Sequence, residues 1–172
     1  MPARVRIAAA AVVALGALAG LVVLVVRIRA GESGTAHLSF ASTSPASAPF
    51  GEFSEAHVAV GSTCLRVLVA STPSEREQGL RGVTVFGPYA GMLFVNPGDT
   101  SAHYTMAGTP TPLDITFFAE DGRPLDDQHM TPCPDGTDAT CPEYASRARY
   151  RYALERPTGS GPVSGALGAC AA

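Results

Sequence analysis

Residues 7 to 26 form an apolar run with no charged or polar side chain, bracketed by Arg4 and Arg6 before it and Arg27 and Arg29 after it. A helix of that length spans roughly 30 Å, the thickness of a bilayer's hydrocarbon core. It also satisfies its own backbone hydrogen bonds, so lipid can surround it. The expectation is a single transmembrane anchor over residues 7–29. The alternative is a cleaved signal sequence, since Ala17-Leu18-Ala19 has the small-x-small form of a processing site. Cleavage there leaves the apolar stretch from Leu21 to Val26 as the new terminus, which favours the uncleaved anchor. Both flanks carry two arginines, so the charge rule alone does not orient the span. The short tail before it and the long chain after it favour an extracytoplasmic C-terminal part.

These boundaries divide the chain. Residues 1–6 read as a cytoplasmic tail and residues 7–29 as the anchor. Residues 30–52, rich in Ser, Ala, Gly and Pro without a period, read as a flexible linker. Residues 53–172 read as one extracytoplasmic β-rich domain. All twelve basic residues are arginine, and eight of them follow residue 30, against all fifteen acids. A basic nucleic-acid footprint is absent.

The four cysteines, Cys64, Cys133, Cys141 and Cys170, are even in number. In an oxidising compartment this favours two disulfides. Cys133 and Cys141 bracket a turn-rich segment that brings its ends together, which pairs Cys64 with Cys170 by elimination. The usual zinc spacing and the Cys-x-x-Cys redox motif are both missing.

Along the domain, Val58 and Val60 alternate with smaller residues, Gly61-Ser62-Thr63 turns, and Leu65, Val67 and Val69 alternate again, as in a β-hairpin. Thr72-Pro73-Ser74-Glu75 is a capping box with proline at the first helical position, and Gly79 and Gly82 stop the helix early. Gly91 to Val95 is a buried strand, and Asn96-Pro97-Gly98-Asp99 reads as a turn. Leu113 to Ala119 and Pro124 to Met130 form a second hairpin about Asp121-Gly122. In the last strand, Tyr150, Tyr152 and Leu154 are placed on one face and Arg149, Arg151 and Ala153 on the other. The fold class is mostly β: a compact antiparallel β-sandwich or barrel-like domain with one short helix, preceded by one transmembrane helix.

Five elements in order carry a resemblance. They are Glu75-Arg76-x-x-Gly79-Leu80-Arg81-Gly82; Gly91-Met92-Leu93-Phe94-Val95; Met106-x-x-Thr109-x-x-Pro112-Leu113-Asp114-Ile115; Asp121-Gly122; and Cys133 with Cys141-Pro142-x-Tyr144 and Ala148-x-Tyr150. The chain resembles the domain of unknown function 192 family over roughly residues 56–170. The resemblance implies a small, mostly β domain, often behind a signal or anchor, and no agreed biochemical function. Where that family usually reads Trp-Met-Lys-Asn-Thr, this chain has Thr105-Met106-Ala107-Gly108-Thr109, so the Lys–Asn pair is replaced. Its C-terminal segment is richer in glycine, and Cys170 is an addition.

No Ser/His/Asp or Cys/His constellation can be assembled by motif, and neither a calcium loop nor a phosphate-binding glycine loop occurs. The leading reading is a membrane-anchored, non-catalytic binding module for a small molecule or envelope component, without a cofactor or metal. Its ligand-binding residues are expected to be Met106, Thr109, Asp114 and Tyr144. A carboxylate such as Asp114, at the entry to an apolar strand, must be capped or solvated at a site. One alternative is a hydrolase using Asp114 as acid or base. Another is copper binding if His103, Met106, His129 and Met130 converge.

Overall fold

The computed structural model describes residues 43–161 and 164–170. The span expected over residues 7–29 lies outside them. Among the described residues no helix is long and apolar enough to cross a membrane. The expected architecture is corrected to what the described residues show, a single β-rich domain with one short helix and no transmembrane helix among them.

Among the described residues there are ten strands: β1 (Ser44–Pro45), β2 (Ser54–Val60), β3 (Thr63–Ala70), β4 (Met92–Thr100), β5 (Tyr104–Thr105), β6 (Leu113–Phe118), β7 (Pro124–Met130), β8 (Glu143–Tyr144), β9 (Tyr150–Pro157) and β10 (Leu167–Ala169). One helix, α1 (Pro73–Gln78), follows β3. The large sheet runs β1-β2-β3-β4-β9-β6-β7, and β10 joins β2 on the edge where β1 also pairs. β5 and β8 form a separate two-stranded sheet. Packing reaches back into the stretch read as linker, for Ala46 and Phe50 are buried and β1 pairs with β2.

The local chemistry accounts for the connections. Gly61, at φ +59°, turns the β2–β3 hairpin, and a Cβ there would lie 2.4 Å from the Ser164 carbonyl oxygen. The position needs both glycine's conformation and its lack of bulk. Thr72 caps α1 by accepting from the Glu75 N–H, and the Glu75 carboxylate accepts from the Thr72 N–H at 2.8 Å. The helix carries the chain across so that β3 and β4 pair in parallel. An all-antiparallel sheet was expected, and the crossover overturns it.

Strand alternation sends side chains into two cores, one on each face of the sheet. Leu68, Met92, Phe94, Ile115 and Phe117 belong to one cluster, and Val67, Val69, Leu93, Phe118 and Leu154 to the other. β9 departs from strict alternation. Tyr150 joins Ala153 in the first core, whereas Tyr152 and Leu154 lie in the second. The reason is a bulge in β4. Val95 faces Tyr152 and Thr100 faces Tyr150, so Asn96 to Asp99 stand against Arg151 alone. The segment read as a turn is this bulge. It is held by Asn96 Nδ2 on the Arg151 carbonyl at 3.1 Å and by Arg151 Nε on Asp99 Oδ1 at 3.1 Å. Bulges of this kind re-aim side chains, and here the change brings Tyr150 against Phe117, ring centroids 4.8 Å apart.

Two disulfides fasten the periphery. Cys64 is bonded to Cys170, 106 residues away, and Cys133 to Cys141 across a short loop.

Candidate functional site

β9 runs between β4 and β6, and Glu155 on it faces Met92 on one side and Ile115 on the other. That register turns Glu155 toward the first core. It is 5% exposed, and no hydrogen bond reaches its carboxyl group among the described residues. Removing a carboxylate from water without a partner penalises its charged form. Burial accordingly pushes the Glu155 carboxyl up to about 8.

Glu155 lines a cavity of about 400 Å³, within the range of small-molecule sites. Phe94, Tyr104 and Met106 supply its apolar wall, and Thr109 borders it as well. The Phe94 and Tyr104 rings meet edge to face at 5.1 Å. Burial drives the Tyr104 hydroxyl far above the ordinary phenol range, and that of Tyr150 beneath it to about 12.

The rim is built from paired groups. Arg81, just after α1, donates to both Asp138 carboxylate oxygens at 2.9 and 3.0 Å and to the Ala107 carbonyl at 2.5 Å. Thr105 Oγ1 donates to Asp138 Oδ1 at 2.5 Å. The Thr105 bond, then Arg81, hold the Asp138 carboxyl below the usual carboxylate range. Arg76 Nη1 donates to the Val95 carbonyl at 3.1 Å and to that of Ser71. His103 Nδ1 lies 2.8 Å from Glu143 Oε2. The loop carrying Met106 and Thr109 is fastened from behind. Gly108 donates to the Cys133 carbonyl at 3.1 Å, and the Cys133 N–H returns to Thr109 at 3.3 Å. Cys133 is in turn bonded to Cys141.

The residues expected to form one site divide among three places. Met106 and Thr109 line the cavity with Glu155. Asp114 lies in a second cleft with His129, Arg156 and Ser160. There Asp114 Oδ1 meets His129 Nδ1 at 2.9 Å and Thr158 Oγ1 at 3.3 Å, and both ring and carboxylate are about half exposed. On the far side of that cleft Arg156 donates to the Ser160 carbonyl at 2.8 Å, while its Nε is buried without a partner among the described residues. Tyr144 lines neither space; it pairs with Tyr104 across the small sheet, and its hydroxyl accepts from the Thr131 N–H at 2.9 Å.

The two functional alternatives fare differently. Asp114 is half-exposed in the second cleft beside a second titratable group, His129, and Thr158 Oγ1 meets both, which is the setting the hydrolase reading asks for. The copper set does not converge. His103 and Met106 border one space, His129 the other, and Met130 is fully buried. No group of three or more His, Cys, Asp or Glu among the described residues could hold a metal ion.

The alternation over 148–154 stops one residue short of Glu155, so the sequence pattern alone does not single it out. A single acid at an inward step of an otherwise apolar strand was the available signal.

The family model DUF192, described as an uncharacterized ACR, matches residues 56–162. The chain belongs to the DUF192 family. The match covers the helix, the cavity and Glu155. Among solved structures, a protein of unknown function from Novosphingobium aromaticivorans DSM 12444 is 24% identical with a TM-score of 0.56, covering 69% of this chain and 83% of that one. A protein from Sinorhizobium meliloti 1021, given the provisional name of transcription regulator, is 27% identical with a TM-score of 0.57, covering 67% of this chain and 93% of that one. No curated protein matches. The expected membrane anchor and single-pass placement find no support in the structure: no helix among the described residues is long and apolar enough to cross a membrane, and residues 7–29 lie outside them.

Proposed function

We propose that this DUF192 domain is a non-catalytic binding module for a small molecule, with the cavity over Glu155 as its site. The observation that carries the reading is Glu155 itself. A fold that buries a carboxyl at the base of an open cavity and provides no partner leaves that group for a ligand. Phe94, Tyr104 and Met106 give the cavity the apolar wall with few convergent polar groups that is common in ligand sites. Met106 and Thr109 belong to this site; Asp114 and Tyr144 stand outside it. The two disulfides support an oxidising, extracytoplasmic setting.

The test is a small-molecule fragment screen on the full chain, read by methyl NMR. Binders are expected to shift the Met106 and Thr109 methyl signals. Binders that perturb only the surroundings of Asp114, or none at all, would overturn the site.

A further inference from the structure

The chemistry of the cavity also bears on what kind of small molecule fits. Its base presents an acid. Of the two arginines at its edge, Arg81 is paired with Asp138, whereas Arg76 donates through Nη1 to backbone carbonyls and meets no carboxylate among the described residues. An anionic ligand would therefore meet Glu155 with Arg76 alone to offset it. Counted together, the edge still carries one more acid than arginine, with Glu77, Asp138 and Glu143 against Arg76 and Arg81. A field of that sign concentrates cations at a cleft. The walls are rings and a thioether, surfaces that accept a desolvated cation.

We infer that the cavity takes an organic ammonium ion, its charged head on the Glu155 carboxylate and its apolar body against Phe94, Tyr104 and Met106. The inference rests on the small-molecule reading above and narrows it to one charge class. Binding is coupled to a proton. In the empty cavity burial keeps the Glu155 carboxyl largely protonated at neutral pH. An ammonium ion favours the carboxylate, so the proton leaves to solvent as the ion pair forms. The neighbouring phenols, Tyr104 and Tyr150, are pushed above their ordinary range and stay protonated. The other charged groups that face the cavity are Arg76, Arg81, Glu77, Asp138 and Glu143, and His103, paired with Glu143, stands on the same wall.

The experiment is titration calorimetry on the full chain with benzylammonium chloride, in two buffers of different ionisation enthalpy at neutral pH. Benzyl alcohol and sodium benzoate serve as neutral and anionic counterparts. The expected result is release of about one proton per benzylammonium bound. That release should persist in His103→Gln and vanish in Glu155→Gln, with at least about tenfold weaker binding in the latter. Wild-type affinity for benzylammonium should rise between about pH 6 and about pH 8, a readout that needs no variant. Benzyl alcohol or benzoate binding as tightly as benzylammonium would overturn the charge class and leave the small-molecule reading standing. No binding by any of the three, with unmoved Met106 and Thr109 methyls, would overturn both.

Discussion

Two acids are buried in this sheet, and their surroundings differ in kind. Asp126 lies on the edge strand β7, its side chain 3% exposed. Arg147 meets both of its oxygens, at 2.7 and 3.2 Å, and the backbone N–H groups of Asp127 and Arg147 and the Gln128 amide complete the shell. Those bonds, led by Arg147, pull the Asp126 carboxyl down to about 2. Glu155, on an interior strand, has no comparable shell and moves the opposite way, up to about 8. One carboxylate is solvated by the protein; the other lines a cavity without such a shell. A buried acid is therefore informative about ligands only once its partners have been accounted for.

The contrast can be broken most directly at Asp126. Asp126→Ala should destabilise the fold by about 3 kcal/mol at neutral pH, because two backbone N–H groups lose their acceptor as well as the pair being lost. Chemical denaturation checks this; a loss under about 1 kcal/mol would place Asp126 outside the structural class. The pH dependence has a definite sign. The Asp126 contribution is present above its ordinary range near 3.8 and is lost as pH falls through about 2.

Glu155→Gln should act in the other direction. With its carboxyl raised from 4.5 to about 8, Glu155 makes the wild type progressively less stable as pH rises between those values, with no further loss above them. The advantage of the variant over wild type should grow by about 4 kcal/mol between pH 5 and pH 8.5. Parallel thermal melts across that range measure the difference. Equal pH profiles would show that Glu155 has a partner after all.

The smallest effect belongs to the rim. Asp138 is largely exposed, so Asp138→Asn should cost less than about 1 kcal/mol of stability. It should nevertheless free Arg81 and Thr105 and weaken binding at the cavity. Denaturation and fragment affinity measured on the same variant separate the two.

Much of the local structure was legible in the chain. Alternation marked the β2–β3 hairpin, Asp121-Gly122 marked the β6–β7 turn, and Thr72-Pro73-Ser74-Glu75 marked the helix start. Each signal lies within a few neighbouring residues. Pairing between distant strands left no such mark, so the parallel β3–β4 contact and the β4 bulge went unread; Asn96-Pro97-Gly98-Asp99 has turn composition wherever it sits. The site was half legible for the same reason. Met106 and Thr109 share a short loop, but Asp114 alternates with Leu113 and Ile115, which belong to the first core, and so turns into the second cleft. Glu155 became visible only when register placed it opposite Ile115.

The loop closed by Cys133 and Cys141 has a consequence for variation in this protein. A Cβ at Gly136 would fall 2.3 Å from each of the two sulfur atoms. A side chain there must force the staple aside, and the strain passes along the backbone to Asp138, two positions on, and to the Cys133 contacts with Gly108 and Thr109. Position 136 is thus a remote lever on the ligand's doorway: an exchange far from any bound molecule should register as altered affinity.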